Sequence, residues 1–278
     1  MSETRSEDRV TVLSAESGWM PFDFTELRQY RDLFYFLVWR DIKVLYAQTV
    51  LGFAWAILNP AIQIVIFSII FGKVANLDTG GVPYVLFSTV AIIPWTYMSD
   101  TMSAASGSLV QGKQLLGKIY FPRVMFPMTP ILAKLVDFSI SLSILILVMF
   151  YYQVTPTWNL LLIPGLVLAM MLVPTGIGMW LAALAIRYRD VKFAMTYMIK
   201  LLIYSAPILY SAAAIPENLR FWYSLNPIVA VIEGFRACLL GGQIEWLYIV
   251  PGLLVSVIIF LSGAVYFRRM ERVFVDVI

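Results

Sequence analysis

The sequence predicts an all-α membrane protein. It has six transmembrane helices, an N-terminal amphipathic helix at the membrane interface, and re-entrant helices between spans five and six. Three observations carry this expectation. Of 278 residues, 60% are hydrophobic and 13% charged, with a mean hydropathy of +0.82, where soluble domains carry about 25% charged residues. One globular core cannot hide so much apolar side chain, so lipid must solvate part of it. Six apolar segments are long enough to cross a bilayer, and Lys and Arg gather on one side of every crossing.

In chain order, residues 1–20 carry mixed charge and no basic stretch leading into an apolar run, so they read as a partly disordered cytoplasmic leader and not a signal peptide. Residues 21–46, PFDFTELRQYRDLFYFLVWRDIKVLY, set Leu27, Tyr30, Phe34, Leu37, Val38 and Asp41 at helical spacing, with Arg28, Arg31, Asp32, Arg40 and Lys43 on other faces. Such a helix either lies in the membrane surface or packs on the cytoplasmic ends of the spans. Residues 47–278 hold the spans, placed at about 51–73, 84–105, 129–152, 160–186, 194–214 and 247–267. In the long fourth span, Pro164 and Pro174 suggest a kink or a tilted entry.

Net charge is only +3, so its placement matters more than its sum. Arg40 and Lys43 precede the first span, Lys113, Lys118 and Arg123 follow the second, Arg187, Arg189 and Lys192 follow the fourth, and Arg268, Arg269 and Arg272 follow the sixth. Residues 74–83 and 153–159 have no Lys or Arg, and 215–246 offsets Arg220 and Arg236 with Glu217, Glu233 and Glu245. Both termini are therefore expected in the cytoplasm. The 215–246 loop holds apolar stretches too short to cross, broken by Asn226-Pro227 and ended by Gly241-Gly242. Two short helices dipping into the outer leaflet explain it; an outer cap of two surface helices is the alternative.

Polar groups inside the spans come next. Gln48, Gly52, Trp55, Asn59 and Gln63 form one helical stripe in the first span, and Pro60 adds a kink. Amides in lipid are costly, so the stripe lines a hydrophilic path or packs on a neighbour with its amides paired. In the fifth span Tyr197, Tyr204 and Ser211 recur seven apart, with Lys200 and Tyr210 toward the two ends. Tyr204 lies at mid-span, where an interfacial belt does not account for it and its hydroxyl needs a partner. Lys134 and Asp137 are three apart, an ion pair or a proton relay. Asp100 stands among Thr96, Ser99, Thr101 and Ser103, a functional candidate if it sits at depth.

Several chemistries are excluded. Histidine is absent and Cys238 is the one cysteine, which removes an intrachain disulfide, the commonest general base and the commonest metal ligands. SGSLVQGKQ (106–114) has the glycines and lysine of a phosphate-binding P-loop, but Gln114 replaces the hydroxyl and a span, not a buried strand, precedes it. The stretch reads as a cytoplasmic helix and turn. The chain is not expected to be an enzyme, to hold a metal or cofactor, or to bind nucleic acid, and power for active transport must come from a partner or an ion gradient.

YAQTVLGFAWAILNP (46–60), LLGKIYFPRVMFP (115–127), RYRDV (187–191) and SLNPIVAVIEGFR (224–236) together resemble the permease subunit of bacterial ABC exporters for surface polysaccharides: O-antigen of lipopolysaccharide, capsule or teichoic acid. The resemblance runs from about Tyr30 to the C-terminus. It implies a multi-pass homodimer in the bacterial inner membrane, two copies of a separate ATP-binding subunit that holds ATP and magnesium, and a lipid-linked polysaccharide as cargo. It implies that spans one and five line a channel at the dimer axis, which favours Trp55, Asn59, Gln63, Tyr197 and Tyr204 as lining. The N-terminal helix and the segment with Gln111, Lys113, Lys118, Phe121 and Arg123 are implied to dock the ATPase, and Asn226, Pro227, Glu233 and Arg236 to build the re-entrant loop. An ion-coupled secondary transporter or channel is the alternative, with Asp100 or Lys134–Asp137 essential. A membrane-embedded glycosyltransferase is disfavoured, because the outer loops offer no acidic pair suited to acceptor chemistry.

Overall fold

A computed structural model describes residues 24–47, 51–116, 120–155, 157–188 and 190–271. The predicted leader 1–20, Gln48, Lys118, Arg189, Arg272 and the side chain of Lys192 lie outside the described residues. Among the described residues all regular structure is helical. The amphipathic segment forms α1 (Phe24–Gln29) and α2 (Arg31–Tyr46), parted at Tyr30. Leu37 is fully buried, and Leu27, Tyr30, Leu33 and Phe34 pack with it on Met125, Phe126, Met179 and Phe267. Tyr35, Phe36 and Trp39 point outward, with the Lys43 ammonium 5.3 Å from the Trp39 ring. The helix thus packs on protein through one face and presents aromatic and basic groups on the other.

The remaining elements are α3 (Ala54–Phe67), which runs on as a π-helix over Ser68–Val74, α4 (Tyr84–Gln111), the short α5 (Lys113–Leu116), α6 (Met125–Tyr151) and α7 (Ile163–Arg187), entered through a 3-10 stretch at Trp158–Leu162. Then come α8 (Asp190–Ser205), α9 (Glu217–Ser224), α10 (Pro227–Leu239) and α11 (Trp246–Glu271). Ala54–Val74, Met125–Tyr151, Trp158–Arg187 and Trp246–Glu271 are long and apolar enough to cross a membrane, which makes this a multi-pass membrane protein.

Of the other two predicted spans, the second forms one continuous helix and the fifth is broken. α4 is long, but its second half carries Ser99, Asp100, Thr101, Ser103, Ser106 and Ser108. It is packed against α3, α6, α7, α8 and α10 and two thirds of it is buried, so protein rather than lipid surrounds most of it. The predicted fifth span, 194–214, is not continuous: α8 stops at Ser205. Pro207 lacks the N–H that a continuing helix needs and biases Ala206 away from helical geometry.

Packing between helices relies on close backbone approach. At the crossing of α7 and α11, a Cβ on Gly263 would meet the carbonyl oxygen of Gly176, and one on Gly176 would lie 2.5 Å from that of Ile259. Small residues at such crossings let helices gain dispersion contacts that lipid cannot replace. Pro60 inside α3 frees the carbonyl of Ala56, four residues earlier. The Ser141 hydroxyl of α6 donates to that carbonyl at 2.9 Å, which ties α3 to α6.

Candidate functional site

Past Ser205 the backbone is buried yet not helical: Ala206, Pro207, Ile208 and Leu209 are all buried. Buried carbonyls must find donors, and side chains supply them here. Asn226 donates through Nδ2 to the Ser205 carbonyl at 3.0 Å, Tyr84 through its hydroxyl to Leu209 at 2.9 Å, and Arg236 to Ile208 at 3.3 Å and to Tyr210 at 3.4 Å. Asn226 also accepts from the Ile228 N–H at 3.0 Å, the N-cap of α10, and Pro227 takes the first helical position, where a missing N–H is harmless. Glu233 and Arg236, one turn apart, pair at 2.8 Å, and the guanidinium lies 3.6 Å from the Phe87 ring centroid. All four predicted residues of this loop therefore meet at the broken end of α8. Tyr210 and Tyr223, joined hydroxyl to hydroxyl at 3.1 Å, extend the network.

The five predicted lining residues are not brought together within one chain. On α8, Tyr197 and Tyr204 project outward at 67% and 65% exposure, beside exposed Phe193, Met198 and Leu201. On α3, Ile62, Val65 and Ile66 are exposed, as is Ile69 in the π-helical stretch that follows, and Gln63 is half-buried. Trp55 and Asn59 are also exposed and edge a cavity shared with α4 and α6, whose wall includes Asp100, Lys134 and Asp137. Lys134 Nζ donates to Asp137 Oδ2 at 2.8 Å, and the Tyr46 hydroxyl at the end of α2 donates to the other carboxylate oxygen. Burial, together with that hydrogen bond and the Asp137 charge, pushes the Tyr46 phenol above its ordinary pKa, so it stays a proton donor. Lys134 and Asp137 were legible as a pair from spacing; Tyr46, 91 residues away, carried no local signal.

At the opposite end from α9 and α10, the predicted docking residues separate into two kinds. Gln111 and Lys113 are exposed. Phe121 is 3% exposed and packs its ring 5.4 Å from that of Phe126. Arg123 turns back to the end of α11: its N–H donates to Glu271 Oε1 at 3.2 Å and its guanidinium to the Glu271 carbonyl at 3.3 Å. Exposed Tyr120 hydrogen-bonds Glu26 of α1 at 3.4 Å, a group that the sequence did not single out. Phe121 and Arg123 thus fix the segment from within, while Gln111, Lys113 and Tyr120 form its outer surface. The P-loop look-alike runs from the end of α4 through the turn at Gly112 into α5, and helical hydrogen bonds occupy its amides up to Gly112.

Comparison with known proteins places these features. Residues 32–240 match the family model described as ABC-2 type transporter. The chain is 28% identical over 214 residues to the O-antigen export system permease protein RfbA of Myxococcus xanthus, covering 76% of this chain and 82% of that protein. It is 24% identical over 251 residues to the Klebsiella pneumoniae protein of the same name, covering 89% and 95%. It is 23% identical over 220 residues to the polysialic acid transport protein KpsM of Escherichia coli, covering 74% and 80%. With three quarters of its length inside the family model and its helices packed as a multi-pass bundle, the chain belongs to the ABC-2 type transporter family of membrane proteins.

Proposed function

We propose that the chain is the membrane permease subunit of an ABC exporter that moves a lipid-linked surface polysaccharide of O-antigen, capsule or teichoic-acid type outward across the bacterial inner membrane. The observation that carries this reading is the similarity to an O-antigen export permease along 95% of that protein's length. In this reading α3, α4, α6, α7, α8 and α11 make six crossings with both termini in the cytoplasm, as the Lys and Arg pattern suggests. α9 and α10 dip into the outer leaflet, because the non-helical backbone they satisfy needs protein around it.

Two copies join through the exposed faces of α3 and α8, so that Trp55, Asn59, Gln63, Tyr197 and Tyr204 face the path. A polysaccharide is rich in hydroxyls but has an apolar face on each ring. Aromatic walls hold that face weakly at many points, which lets a long chain slide without being trapped. Two copies of a separate ATP-binding subunit, which hold the ATP and magnesium, dock on α1, α2 and the outward residues of the 111–123 segment.

Reconstitution tests this. Purified alone, the chain should hydrolyse no ATP and move no polymer under a proton or sodium gradient. Together with the ATP-binding subunit of the same cell, it should export lipid-linked polymer into proteoliposomes only with hydrolysable ATP. Gradient-driven transport by the lone chain would establish a secondary transporter instead.

A further inference from the structure

α8 is held to the bundle along one side only. Met195 is buried, and Ile199, Leu202 and Ile203 pack on the same core. At about 100° per residue, Phe193, Thr196, Tyr197, Lys200 and Tyr204 fall within one arc of roughly 100° on the other side, and all five are exposed. A surface made for lipid is apolar, and this arc is not. It holds a hydroxyl, two phenols and, at its centre, an ammonium. Lys200 Nζ lies 5.9 Å from the Tyr197 ring centroid, within cation–π reach, and makes no ion pair among the described residues.

Depth gives that charge a meaning. Arg187 and Asp190, both exposed, mark the turn between α7 and α8. Lys200 stands ten residues after Asp190, about 15 Å along the helix at 1.5 Å per residue, or about half of a 30 Å hydrocarbon core. The side chain leans back toward Asp190, as long side chains on helices do. Yet the Tyr197 ring against which it rests is itself about 10 Å in, so the ammonium stays below the headgroups. A charge at such depth needs water or a counter-charge and marks a pathway.

A second copy meeting α3 and α8 does not supply the counter-charge from those elements. α3 and its π-helical continuation have no carboxylate, and the one acid of α8, Asp190, stands at its start. Together they carry Lys73, Lys192 and Lys200 against Asp190 alone. Lys73 is exposed at the far end of the π-helical stretch. Asp100 of α4 has the Lys134 ammonium within electrostatic reach in its own chain. A neutral sugar offers Lys200 hydroxyls, which offset little of an ammonium's lost hydration. A carboxylate or phosphate offers a charge-assisted hydrogen bond.

We propose that Lys200 makes the outward face of α8 selective for acidic cargo, holding a carboxylate or phosphate of the passing polymer while Tyr197 and Tyr204 carry the adjoining rings. The proposal rests on the polysaccharide-export reading and names the class of polymer: one with an acidic group in its repeat. One ammonium per copy among aromatic rings selects such a group without arresting the chain.

The test uses the full chain in nanodiscs of neutral lipid, with trigalacturonic acid and maltotriose as probes, read by saturation-transfer NMR and calorimetry. The acidic probe should bind roughly tenfold more tightly, the scale of one charge-assisted hydrogen bond. The preference should fade at an ionic strength of about 1 M, where charges are screened within about 3 Å. Lys200→Gln should erase it and Lys200→Arg should keep it. The proposal is overturned if the two probes bind alike, or if Lys200→Gln keeps the preference. It is also overturned if Lys200→Gln instead strips co-purifying anionic lipid and leaves the preference in place, which would make Lys200 a headgroup anchor. ATP-dependent export of a neutral polymer that Lys200→Gln leaves unchanged would overturn the acid selection and keep the exporter reading. A Lys200-dependent preference in a chain that moves polymer without ATP would do the reverse.

Discussion

Arg236 is 5% exposed, and its guanidinium serves Glu233, the carbonyls of Ile208 and Tyr210, and the face of Phe87 at once. Replacing it with Met keeps the bulk but strips three acceptors of their donor. Breaking a buried pair from one side costs about 3–5 kcal/mol, so Arg236→Met should lower the thermal midpoint of the detergent-solubilised chain sharply. Arg236→Met with Glu233→Gln should recover part of the loss. Equal midpoints for wild type and Arg236→Met would show that this network does not hold the end of α8. The i,i+3 spacing of Glu233 and Arg236 was visible in the sequence. Their task was not, because the carbonyls Arg236 serves lie 26 and 28 residues earlier, and only the fold brings them within reach.

For whole helices, composition was a sufficient guide where lipid is the solvent. The apolar runs at α3, α6, α7 and α11 stand out because backbone groups in a bilayer have only their own helix to bond. Composition was a weaker guide where protein is the solvent: α4 mixes polar with apolar residues, and the apolar run after Ser205 leaves the helix because Pro207 and four hydrogen bonds from three side chains support another path. Contacts between helices were the least legible. Gly176 and Gly263 look like any other glycines in apolar runs, yet their backbones touch. Gly263→Val should therefore destabilise by about 1–3 kcal/mol, the usual effect of overpacking, while Gly165→Ala, whose added Cβ meets nothing within 4 Å, should not. Matching thermal midpoints for these two variants would contradict the crossing.

For the molecule as a whole, the sequence indicated a multi-pass helical bundle with an amphipathic leading segment, and the structure has such a bundle, with α1 and α2 packed on it. It also suggested a single wet, aromatic seam. In the single chain Trp55 and Asn59 are exposed at the edge of a cavity with α4 and α6, and Tyr197 and Tyr204 are exposed on α8. If α3 and α8 meet a second copy, Val65→Cys with Leu201→Cys should form disulfide-linked dimers in oxidised membranes. Val65→Cys with Leu254→Cys, on the exposed side of α11, should not. The native thiol, Cys238, is 2% exposed and adds no background. Cross-linking that does not distinguish the two pairs would point both faces into lipid.

The π-helical stretch at Ser68–Val74 has a separate consequence for how this architecture changes over time. A π turn is an α turn carrying one surplus residue. Loss of a residue there can be taken up by rewinding, whereas the same loss within α7 would swing every later side chain by about 100° off its neighbours. The first crossing can therefore adapt to bilayers of different thickness by small deletions, while the tightly crossed centre of the molecule is held to one length.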